Sequence, residues 1–167
     1  ANQDLINGEL PLPPTSFDLP VRDPAMMLRI AQCYEVLRRF GRVLYIKAFC
    51  IEDFARALSL YEHTPLLTTV HVALLRTLAA EMLVGATFVD ALTWGLLDAH
   101  NWPELLRLFL LRHADAELDP MPIAAAAHLE KEDYATMSLT HRLTVLEMLC
   151  ANVVGCEVIR ADLAGPP

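Results

Sequence analysis

Apolar residues recur every three or four positions along most of this chain, in segments punctuated by proline, glycine and short polar stretches. That spacing predicts amphipathic helices. Met27, Ile30, Ala31, Tyr34, Leu37 and Phe40 share one helical face. Asp23 suits the cap position and Pro24 the first turn, so the first helix should start there and stop at Gly41. A second helix is predicted from about Ile51 to Leu60, with Phe54, Ala57 and Leu58 inward. Its Glu52 and Asp53 favour the positive N-terminal end. The third should open with Thr64 as cap and Pro65 at the first position. Its stripe is Leu67, Val70, His71, Leu74, Leu75 and Leu78, and it extends to about Met82.

Beyond Gly85, residues Thr87 to His100 read as a fourth, very apolar helix. Asn101-Trp102-Pro103-Glu104 then opens a fifth, with Asn101 as cap and Glu104 placed to complete a capping box. Leu105, Leu106, Leu108, Phe109 and Leu111 make that helix apolar nearly all round. Asp115 to Asp133 holds Pro120, Pro122, several acids and an alanine run, which predicts a loop with a short helical turn. A sixth helix should span Ser138 to Val154, broken by Gly155, with a short last helix from Cys156 to Leu163. No useful stretch alternates with period two, so the expected class is all-α: a single compact bundle of six to seven helices. Residues 1–23 carry Pro11, Pro13, Pro14 and Pro20 with no period, and read as an extended Pro-rich arm. The expected division is that arm, a three-helix core over 24–84, and residues 85–167 packed on the core as one domain.

Composition narrows the class. At 167 residues and 54% apolar, the chain can bury a substantial core. No uninterrupted apolar run reaches the roughly 18 residues a membrane span needs, and no signal peptide is expected from the first residues. The net charge is −8, which argues against general wrapping of nucleic acid. Yet charge is uneven: seven basic residues against four acids lie between Arg22 and Arg56, and eleven acids against five bases from Asp98 onward. Cys33, Cys50, Cys150 and Cys156 form no zinc-type spacing and are expected to be reduced.

Three segments resemble a known family. Tyr34-Glu35-Val36-Leu37-Arg38-x-Phe40-Gly41, then Phe49-x-x-Glu52-Asp53-Phe54-x-x-Ala57-Leu58, then His71-Val72-x-Leu74-Leu75-Arg76 resemble the DDT domain of accessory subunits of ISWI-type chromatin remodellers. Trp102-Pro103-Glu104-Leu105-Leu106-Arg107 is similar to the Trp-Pro-Glu element that follows these helices in that family. Leu143 to Leu149 and Val158 to Leu163 resemble its first WHIM motif. The pattern is most like the large bromodomain and PHD-finger subunits of nucleosome-remodelling factors. The resemblance implies a nuclear, non-catalytic adaptor that docks an ISWI-type ATPase and senses linker DNA. Two features depart from it: the apolar link after the third helix, and the net acidity.

The residues that could do chemistry fit that implication. No glycine-rich phosphate loop, serine elbow or H-E-x-x-H occurs, so no catalytic residue, metal, cofactor or small-molecule substrate is expected. His71 lies on an inward face, where a core histidine bonded to a carbonyl outweighs a ligand. Trp102 reads as packing at a helix start, with an exposed partner anchor as the alternative. Arg107 should pair with an acid inside the fold, and Glu104 belongs to the same structural element. Arg38, Arg39, Arg42 and Lys47 form a candidate basic patch for DNA or a partner, or else simply suit a helix C-terminus. Glu147, Glu157 and Asp162 are the candidate acidic partner surface, facing a basic helical segment of the ATPase. Direct duplex DNA binding is the alternative function, a small helical enzyme the remote one.

Overall fold

The computed structural model describes residues 20–113, 115 and 118–165. Eight α-helices account for most of them: α1 (Pro24–Phe40), α2 (Ile51–Ser59), α3 (Pro65–Met82), α4 (Phe88–Gly95), α5 (Trp102–His113), α6 (Met121–Lys131), α7 (Leu139–Val154) and α8 (Glu157–Ala164). A short 3-10 turn, Tyr134–Thr136, joins α6 to α7. No strand occurs among the described residues, and the chain is all-α. None of these helices is long and apolar enough to cross a membrane. The arm assigned to residues 1–23 lies outside the described residues up to residue 19; Val21 at its end is buried in the core.

Helix starts follow the capping chemistry. The side chains of Asp23, Thr64 and Ser138 accept from the backbone N–H of Ala25, Leu67 and His141, satisfying donors that have no partner within the helix. Gly41 ends α1 as expected, but without the left-handed conformation common at helix stops. It keeps right-handed angles, and its small size is needed because a Cβ would meet the Leu37 and Ile46 carbonyl oxygens at 3.0 and 3.3 Å. The left-handed residue of this turn is Tyr45, at φ 57°.

Three expectations fail in the middle of the chain. The segment read as a loop contains the 11-residue α6; its two prolines sit at the helix start, where a missing N–H costs nothing, and Ala125 and Ala126 pack inward. The fourth helix is only eight residues long and buries Trp94 alone. The capping box at α5 does not form. Asn101 Oδ1 instead accepts from the Asp98 N–H and its amide donates to the Leu96 carbonyl, while Glu104 is held by Arg107.

Helix α7 is the centre of the packing. It lies against α1, α2, α3, α6 and α8, while α5 packs on α3 and α6. Its inward face carries Leu143, Val145, Leu146, Leu149, Val153 and one charged residue, Arg142, which is 1% exposed. Arg142 donates to the Leu58 and Leu60 carbonyls at the end of α2, at 3.0 and 2.6 Å, and to the Ala135 carbonyl at 2.5 Å. Its guanidinium lies over the Tyr134 and Tyr61 rings, 5.2 and 5.8 Å from their centres. No carboxylate pairs with it among the described residues. The C-terminal carbonyls of α2 carry the partial negative charge of a helix end and lack helical donors. They replace the missing counter-ion. Arg142→Ala would strand two buried carbonyls and a partly buried one, and should lower unfolding free energy by about 3–5 kcal/mol in urea titrations. A loss under about 1 kcal/mol would show that water or a shifted side chain satisfies them.

Candidate interaction surfaces

Beside Arg142 lies an aromatic cluster. His71 is fully buried on α3 and stacks on Trp102 with ring centres 4.5 Å apart; Tyr134 meets both edge-on, at 4.9 and 4.8 Å. The His71 Nδ1–H donates to the Leu67 carbonyl at 2.7 Å. Burial, and then the nearby Arg142 charge, hold the imidazole pKa down at about 4, against the upward pull of the Leu67 bond. Burial pushes the Tyr134 phenol up. The cluster is closed to solvent: its tryptophan joins α5 to α3 and presents no surface to a partner.

The basic residues gather at the far end of α1, around an open groove of about 440 Å³. Tyr34, Leu37, Ile46 and Phe49 give it an apolar floor; Arg38, Arg42 and Lys47 stand on its rim. Arg38 is held by Glu35 through two hydrogen bonds of 2.9 and 2.8 Å, and Arg39 lies over the Phe40 ring. Arg42 and Lys47 are exposed, with no charged partner among the described residues. Sequence periodicity missed Phe49, which the Tyr34 hydroxyl fixes by donating to its carbonyl at 3.0 Å.

The three acids chosen from the sequence have different surroundings. Glu147 is not a spare group: Arg29 of α1 grips both its oxygens at 2.7 Å and also reaches Thr144. That pair ties α1 to α7, and mutual hydrogen bonding raises the Arg29 pKa. Glu157 and Asp162 are exposed on α8. A fourth acid joins them, because the Glu81 carboxylate at the end of α3 accepts from the Glu157 backbone N–H. Arg107 pairs with Glu104 one turn away at 2.6 Å, near the surface rather than across the core.

Among the described residues no group of His, Cys, Asp or Glu is placed to hold a metal ion. The four cysteines are free thiols. Burial and a hydrogen bond with Cys33 push the Cys150 thiol well up, the Cys33 bond contributing most, so it is not an activated nucleophile.

Residues 29–81, from α1 to the end of α3, match the DDT domain family. The chain is 31% identical over 159 residues to the nucleosome-remodeling factor subunit NURF301 of Drosophila melanogaster, an alignment that covers 90% of this chain and 6% of the relative. It is 28% identical over 160 residues to the DDT domain-containing protein PTM of Arabidopsis thaliana, covering 91% of this chain and 9% of that protein. A nucleosome-remodeling factor subunit NURF301-like protein of Caenorhabditis elegans is 38% identical over 68 residues, 41% of the chain and 3% of the relative. The chain thus spans under a tenth of the length of these relatives. No solved structure matches it.

The neutral core histidine makes stability depend on pH. Above the unfolded value of 6.5, neither state of His71 binds a proton and its contribution is full. As pH falls towards about 4 the unfolded chain is protonated and the folded one is not, so stability drops. Between pH 6.5 and 5, chemical denaturation should lose roughly 1–2 kcal/mol from this group, the slope steepening towards a limit of about 1.4 kcal/mol per pH unit. His71→Gln should flatten that limb. A slope unchanged by the substitution would assign it to other groups.

Proposed function

We propose that this chain, which carries a DDT domain at residues 29–81, is a non-catalytic adaptor module of a nuclear chromatin-remodelling subunit and docks an ISWI-type ATPase. One observation carries the reading. Similarity to a nucleosome-remodeling factor subunit does not stop with the three DDT helices but covers 90% of the chain. The helices that follow the DDT segment form one continuous core with it, and residues 24–165 are read as one functional unit. The surfaces suit the role. Exposed Glu157 and Asp162 and the nearby Glu81 offer negative charge to a basic helical segment of the ATPase, and complementary charge speeds and orients docking.

Charge reversal at Glu157 and Asp162 together should weaken binding of a C-terminal ATPase fragment about tenfold at low salt, with the helical circular dichroism unchanged. Glu147 is left out of that variant, since reversing it would place two positive groups together at Arg29. Unchanged binding would move the interface away from α8. A parent chain that binds no such ATPase would end the adaptor reading.

Direct contact with linker DNA is the second reading, favoured by the unpaired Arg42 and Lys47 on the groove rim. So few phosphate contacts on a −8 chain should give duplex affinities of roughly 10⁻⁴–10⁻⁶ M at physiological salt and a shallow salt slope. Fluorescence anisotropy with a labelled duplex measures both, and Arg42→Ala with Lys47→Ala should lower the slope by about 2. Nanomolar binding at physiological salt would make DNA the principal ligand instead.

A further inference from the structure

Positive charge at the end of α1 suits the helix C-terminus. The groove beside it has a floor that this charge does not explain. Tyr34, Leu37, Ile46 and Phe49 line a space of about 440 Å³. Phe49 meets Tyr34 edge-on, 5.5 Å between ring centres, and lies 5.6 Å from the Phe54 ring. The Tyr34 hydroxyl donates to the Phe49 carbonyl. Phe54 is fully buried, so the aromatic wall is anchored in the core and stands ready without a ligand. Binding there costs little reorganisation.

Three observations identify the occupant. The first is charge in the groove itself. Arg38, Arg42 and Lys47 line it, and no acid among the described residues does. The acids nearby are committed elsewhere: Glu35 holds Arg38, and Asp53 pairs with Arg56 and accepts from the Cys50 thiol. Arg42 and Lys47 stay exposed with no charged partner among the described residues. The groove therefore favours an anionic ligand. The second is the floor. Duplex DNA brings phosphates, which gain nothing from aromatic carbon, whereas an apolar side chain beside an acid covers it. The third is the backbone. Lys47 and Ala48 lie exposed between the turn that ends α1 and the start of α2. Their N–H and carbonyl groups make no hydrogen bond among the described residues. An extended peptide supplies matching main-chain donors and acceptors. A second copy of this chain at a two-fold contact would set the same cations against each other.

We propose that this groove docks an extended acidic peptide segment of a partner protein. An apolar side chain of the peptide enters beside Tyr34 and Phe49, its carboxylates meet Arg42 and Lys47, and its main chain runs along Lys47 and Ala48. This surface is independent of the adaptor reading, and the peptide competes with duplex DNA for the same two cations.

The test titrates the whole chain with three labelled peptides of about eight residues, followed by fluorescence anisotropy. The first alternates glutamate with leucine and phenylalanine, so neighbouring positions of an extended chain present acid and apolar groups. The second has lysine for glutamate; the third has serine for leucine and phenylalanine. The first should bind at least about tenfold more tightly than either and shift the backbone amide NMR signals of Arg42 to Phe49. Two variants at exposed positions separate charge from floor. Arg42→Glu with Lys47→Glu should weaken the first peptide at least about tenfold. Ala48→Trp, which fills the groove and keeps both cations, should weaken it as much and leave binding of a labelled duplex unchanged. Should either variant melt early, the ranking of the three peptides and the shift mapping on the parent decide alone. Equal binding of the first and third peptides, or a duplex that binds more tightly than the first peptide, would overturn the proposal, because the rim would then read anions without the floor. Equal binding of the first and second peptides, or shifts confined elsewhere, would overturn it as well.

Discussion

A buried arginine without a carboxylate holds this fold together. Taking a guanidinium out of water costs several kcal/mol unless its donors are met. Here the two terminal nitrogens are met by backbone, with two carbonyls at the end of α2 and one in the turn before α7, while the buried Nε has no partner among the described residues. Each of those carbonyls was itself a liability, since helix ends and tight turns leave acceptors unpaired. One side chain meets three such acceptors, and it does so only when α2, the 3-10 turn and α7 are all in place. The segment that contains the DDT helices and the segment that follows them are therefore conditional on each other.

The same charge shapes its surroundings. A positive guanidinium near His71 opposes protonation of the imidazole, which burial already disfavours. A neutral ring can stack flat on Trp102 and accept the edge of Tyr134 without an unsolvated second cation. Trp102 is thereby fixed to α3, and α5 with it. With His71, Trp102 and Tyr134 committed inward, the features left at the surface are the basic groove at the end of α1, the acids on α8, and the stripe on α4. They carry opposite charge at different places, which a uniformly acidic chain of the same net charge would not provide.

How far the sequence revealed this follows from which signals are local. α1, α3 and α7 were legible because Asp23, Thr64 and Ser138 announce their starts and an inward stripe runs the length of each helix. The match of residues 29–81 to the DDT domain was legible for the same reason, since its motifs are those stripes. α6 is not legible in the same way, because Pro120 and Pro122 suggest a loop in sequence yet stand at a helix start. Asn101 was misassigned because capping depends on where the preceding turn points, and Asp98 controls that turn. The site residues fared less well. Glu147 looked spare because its partner Arg29 lies 118 positions away, beyond any spacing rule. Arg142 passed unnoticed although the signal existed: positions 142, 146, 149 and 153 are one helical stripe, and a charged residue on it must find buried acceptors.

α4 and α6 show why apolarity alone does not decide burial. Both are short segments rich in small and apolar residues. α6 lies between α5 and α7 and fills space with Ala125 and Ala126. α4 meets the core through Trp94, and the core is closed beneath it without help from Phe88, Leu92 or Leu96. Replacing those three by polar residues would remove no contact that the fold uses. Their stripe therefore gains nothing for the stability of this chain, and in water it carries the cost of an apolar patch. Stability of this chain does not explain its presence. The three residues stand a helical turn apart, on a helix whose other side already serves the core through Trp94 and Leu97.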